Sequence, residues 1–95
     1  MRPIQIFDKI IRNGYIKISK DELEILLRFL EVISKSNFQP LRNHYNNEYL
    51  KNLSIVCFFL HENFNDIRVF NFFLKNKSIL KNLKLDSNRF FSDLI

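Results

Sequence analysis

The chain has 95 residues, enough for one domain built around a single modest core. Its apolar fraction of 46% places it among globular rather than disordered chains. A single Gly excludes a P-loop or dinucleotide fingerprint, and a single Cys excludes an internal disulfide or a Cys-rich zinc site.

The net charge of +5 sits at the two ends: residues 1–20 carry +4, residues 21–66 carry −3 and residues 67–95 carry +4. The 12 Asn and the many Lys and Ile fit an AT-rich coding sequence, so they are not used as functional signals. The first residues show no signal-peptide core and nothing approaches a membrane span of about 20 apolar residues, so an intracellular protein is expected.

Taken in order, Pro3 suits a first helical turn, and Ile4, Phe7, Ile10 and Ile11 recur at helical spacing. Asn13-Gly14 is a stop signal, with Gly14 suited to the left-handed position after a helix. Tyr15-Ile16-Lys17-Ile18 alternates like a brief strand or an extended connector. Asn82-Leu83-Lys84-Leu85 echoes it, so residues 15–18 and 83–85 are an optional two-stranded ribbon.

Ser19-Lys20-Asp21-Glu22 reads as a capping box opening a helix over residues 20–36. Asp21, Glu24, Arg28, Glu31 and Lys35 form its polar stripe. Leu23, Leu26, Leu27, Leu30 and Ile33 form the core stripe, which Ile25, Phe29 and Val32 widen. An arc that wide predicts two packing neighbours.

Residues 37–46, with Pro40, read as a polar connector holding at most one helical turn at Leu41 and Tyr45. The longest apolar run follows, Leu53 to Leu60, in a helix expected over residues 47–62. Glu48, Lys51, Asn52 and Glu62 mark its solvent stripe, on which Ile55 and Phe59 also fall. A helix apolar nearly all round has to be covered on every side.

After cap residues at 63–66, a helix over residues 67–75 carries Arg68, Asn71 and Lys75 as a narrow polar stripe. Asn76-Lys77-Ser78 restarts a short helix over residues 79–83. Asp86 or Ser87 caps a last turn carrying Phe90, Phe91, Leu94 and Ile95.

Chemistry is scarce. Setting Gly14 at position 6 of an EF-hand loop puts Lys9, Ile11 and Lys20 where calcium needs oxygen ligands, which rules that site out. Cys57 and His61 share a helix face at i, i+4, but a buried thiol beside a helix-end histidine accounts for both. No nucleophile–base pair, metal-ligand set or cofactor motif stands out.

The adjacent aromatics Phe58/Phe59, Phe72/Phe73 and Phe90/Phe91 lie about 100° apart on a helix, so one of each pair tends to face outward. The expected architecture is all-α, a single domain over residues 1–95 with four to five helices in a small orthogonal bundle. The expected function is non-enzymatic: a subunit, adaptor or inhibitor acting by protein–protein interaction, with a homo-oligomer as the first expectation. Phe29, Ile55, Phe59, Phe72, Phe90 and Phe91 are its candidate interface. The competing expectation is nucleic-acid backbone contact through Arg2, Lys9, Arg12, Lys17, Lys77, Lys81, Lys84 and Arg89.

Overall fold

A computed structural model describes residues 2–13 and 17–80. Among these residues the architecture is an all-α bundle with no strand. The elements are α1 (Pro3–Asn13), α2 (Lys20–Lys35), α3 (Gln39–Tyr45), α4 (Tyr49–Asn63), α5 (Ile67–Lys75) and α6 (Lys77–Leu80), with one turn of 3-10 helix at Asn46–Glu48. Lys17 and Ile18 are non-helical and unpaired by any strand. The rest of the expected ribbon, and the last turn bearing Phe90 and Phe91, lie outside the described residues.

The capping box forms as read. Ser19 Oγ accepts the Glu22 N–H at 3.1 Å, and Glu22 Oε1 accepts the Ser19 N–H at 3.0 Å. Leu23, Leu26, Leu27, Leu30 and Ile33 are the buried positions of α2, and Val32 is left 65% exposed. Three helices meet α2, namely α1, α3 and α5, one more than its wide apolar arc predicted.

The helix ends in a Schellman turn. Asn37 takes the left-handed conformation (φ 56°), and the Phe38 N–H reaches back to the Ile33 carbonyl at 2.7 Å. Phe38 is also left-handed (φ 61°), which costs a bulky residue on the order of 1 kcal/mol. Complete burial of its ring offsets that cost.

The segment expected to be a loop is mostly helix. Pro40 stands at the start of α3, where its missing N–H is harmless and its fixed φ helps. Read as a breaker, the same proline hid the element. Arg42 holds the turn by donating from Nε to the Asn37 carbonyl at 2.9 Å, and its guanidinium lies 4.5 Å over the Tyr49 ring.

The core lies where α1, α2, α3 and α4 converge. Ile6, Phe7 and Ile10 of α1 are fully buried, with the Phe7 ring 5.8 Å edge-on from Phe29 and 6.5 Å from Tyr45. α4 presents Leu53, Val56, Cys57, Phe59 and Leu60 inward. Of its expected solvent stripe, Glu48, Lys51 and Glu62 are exposed and Ile55 is half-buried, whereas Asn52 and Phe59 are buried and Phe58 faces out beside Lys51. With apolar residues nearly all round, its few polar positions orient the wheel only coarsely.

Asp66 caps α5, its Oδ1 accepting the Arg68 N–H at 2.8 Å. Val69, Phe72 and Phe73 bury the inner face of α5 against the body. Two asparagines close the ends of α4 and α5 by donating Nδ2 to the carbonyl four residues back, Asn63 to Phe59 at 2.8 Å and Asn76 to Phe72 at 2.9 Å.

Candidate functional site

Among the described residues, three of the six exposed large apolar side chains lie on the outer face of α5. Ile67, Phe70 and Leu74 stand at i, i+3 and i+7, so they form one row along the helix. They are 69%, 43% and 44% exposed. The α5 arc was too wide for its sequence to say which apolar residues face in. Packing against α2 and α4 selects Val69, Phe72 and Phe73 and leaves the other three outside.

Beside this row runs an open groove of about 710 Å³ between α2 and α5. Leu27 and Phe72 supply its apolar floor, and Leu74 joins it to the exposed row. Glu24, Arg28 and Glu31 line the α2 side, with Arg68, Asn71 and Lys75 on the α5 side.

A charge cluster closes the end of the groove near the α5 N-terminus. Arg68 donates from Nε and Nη2 to the Asp66 carboxylate at 3.1 and 2.8 Å, and from Nη1 to Glu24 of α2. The Asp66 carboxyl lies below its usual range, first because of the Arg68 guanidinium and then because of the Arg68 backbone N–H. The Arg68 guanidinium is pushed up by Asp66 first and by Glu24 second.

A second polar cluster ties α1 to α3. The Tyr45 hydroxyl donates to Asp8 Oδ1 at 2.7 Å, and His44 Nε2 stands 3.9 Å from Asp8 Oδ2. Burial, and then the Asp8 carboxylate, push the Tyr45 phenol up, so it stays protonated and acts as a tie rather than a base. Next to Asp8 in α1, Lys9 meets Glu22 of α2 at 3.5 Å. The Glu22 carboxyl is held low, first by the Ser19 N–H and then by Lys9.

Cys57 is fully buried and desolvation raises its thiol, so the reactive thiolate is suppressed. Among the described residues, no three His, Cys, Asp or Glu side chains come together as a metal-ligand set. No helix among them is long and apolar enough to cross a membrane.

The nominated interface residues separate into three groups. Phe59 and Phe72 are buried in the core, which corrects their assignment to an outer face. Phe29 and Ile55 are half-buried against that core. Phe90 and Phe91 lie outside the described residues.

Of the adjacent aromatics, Phe58 is the outward member of its pair, while Phe72 and Phe73 both turn inward. Among the described residues, the exposed large apolar side chains outside the nominated interface are Val32, Leu50, Phe58, Ile67, Phe70 and Leu74. The one available signal was the narrow stripe of Arg68, Asn71 and Lys75. It locates solvent, and Ile67, Phe70 and Leu74 adjoin it on the wheel.

The basic set is likewise divided. Arg2, Arg12 and Lys17 are exposed, Lys9 is engaged with Glu22, and Lys77 is half-buried. Lys81, Lys84 and Arg89 lie outside the described residues. Comparison with protein-family models, with curated proteins and with solved structures gives no match.

Proposed function

We propose that this chain is a binding protein rather than a catalyst, a small helical subunit or adaptor that docks another protein chain through the outer face of α5. One observation carries the reading: three large apolar side chains in a single row are left in water on a helix whose other face is buried. Rows of this kind are the anchors of helix-mediated recognition. The groove beside the row adds apolar floor and a charged rim of both signs, which favours a peptide or helix over a polyanion. The sealed thiol of Cys57 and the protonated phenol of Tyr45 also fit binding better than catalysis.

Absolute mass by light scattering at low and high salt, with absorbance at 260 nm, tests this reading. A salt-resistant assembly that Phe70→Asp abolishes is the expected result. Co-purifying nucleic acid that salt strips away would overturn it in favour of the basic residues. So would association, with itself or with a partner from its own cells, that is indifferent to Phe70→Asp.

A further inference from the structure

We infer that Asn13-Gly14 is a self-modification site, at which the Asn13 side-chain amide closes on the Gly14 backbone nitrogen and ends as a carboxylate. The inference is independent of the α5 surface. Its chemistry needs an asparagine side chain free to turn, a following residue with no Cβ in the way, and water. The chain has a single Gly, so Asn13 is the one asparagine of 12 that meets the second requirement.

The fold meets the first. Asn13 is the last residue of α1 and is exposed, and among the described residues no hydrogen bond holds its side chain. Other asparagines are held in place. Asn52 and Asn76 are buried. Asn63 and Asn76 donate Nδ2 to helix carbonyls, and Asn43 Oδ1 accepts the Gln39 amide at 2.8 Å. Asn71 is exposed but lies inside α5, where the next N–H is committed to a carbonyl of the preceding turn.

The reaction balances with water alone. The Gly14 nitrogen gives its proton to hydroxide and bonds to Asn13 Cγ. The Cγ–Nδ2 bond breaks, and Nδ2 leaves as ammonia with a proton taken from water. Water then opens the cyclic imide. Opening at Cγ leaves aspartate, and opening at the Asn13 backbone carbonyl leaves isoaspartate, with the chain routed through the side chain. Each event replaces an amide by a carboxylate, so the net charge falls from +5 to +4. The new charge stands at the C-terminal end of α1, where the helix dipole opposes it.

Ageing the full chain in warm neutral buffer, followed by peptide mapping with mass and isoaspartate detection, tests this. The peptide holding Asn13 should convert before any other, to both acids, and faster as the pH is raised. Gly14→Ala should slow the conversion at least about tenfold, because a Cβ there crowds the approach. Asn13→Gln keeps an amide at the exposed position but needs a larger ring. It should leave residue 13 unconverted over the same period, which gives a second test if Gly14→Ala fails to fold.

An Asn13 amide that survives while another asparagine converts overturns the inference. Aspartate without isoaspartate also overturns it, since direct hydrolysis passes through no ring. So does an Asn13→Gln chain that converts at residue 13 as fast as the wild type.

Discussion

Phe58 and Phe59 are neighbours in sequence with identical chemistry, and the fold assigns them opposite fates. Phe59 is 6% exposed within the core and Phe58 is 38% exposed on the outer face of α4. Truncating Phe59 to Ala removes a closed-in ring and leaves a cavity, a loss of about 3–5 kcal/mol. Truncating Phe58 removes a ring whose outer part is already wet and leaves no closed cavity, a loss of about 1–2 kcal/mol.

The expected gap between the two variants is therefore about 2–3 kcal/mol. With a urea slope of about 1–2 kcal/mol/M for a domain this small, the unfolding midpoints should differ by about 1–3 M. Far-UV circular dichroism across a urea series measures this directly. If Phe59→Ala is too unstable to purify from a domain holding about 5–15 kcal/mol, Leu at each position preserves the ranking at a smaller scale. Equal midpoints, or Phe58→Ala as the more damaging change, would refute the inward placement of Phe59.

Three further outcomes are expected. Ser19→Ala removes the acceptor for the Glu22 N–H and should cost about 1 kcal/mol in the same urea assay. Glu22 and Asp66 both have folded pKa values below their ordinary 4.5 and 3.8, so the folded state holds fewer protons than the unfolded one in that range. Their contribution is thus complete above about pH 5 and is lost as pH falls through the folded values. Glu22→Gln keeps the capping geometry and should shrink the stability lost between about pH 5 and pH 3. Finally, Cys57 should resist aqueous thiol reagents in the native state and react only at the rate of opening, whereas prompt labelling at neutral pH would contradict its burial.

The elements differ in how far their sequences foretold them. α2 was legible down to its N-terminal cap and inward face, because charged and leucine positions alternate with full helical contrast. α4 was legible as a helix and in its rough orientation, but not at the edge of its solvent face, where Asn52 and Phe59 turn inward. Its interior is apolar on every side, and Asn52 is polar yet buried. For α5 the polar stripe was readable, but the division of six apolar residues into three inside and three outside is made by α2 and α4. That division decides the site, which is why Phe72 was nominated and Phe70 was not. The bridge from Arg68 to Glu24 spans 44 positions, a distance over which local pattern carries no information.

The placement of α1 has a consequence for how the chain is made. Ile6, Phe7 and Ile10 are buried by α2 and α4, yet α4 is completed about 50 residues after α1 leaves the site of synthesis. At about 5–20 residues per second, the apolar face of the first helix waits roughly 3–10 s for its last neighbour. During that interval α2 and α3 can close over their own short turn, since the Asn37–Phe38 latch joins them locally. The nascent chain thus carries an open cleft that only α4 can fill, and its newest helix completes the shelter of its oldest.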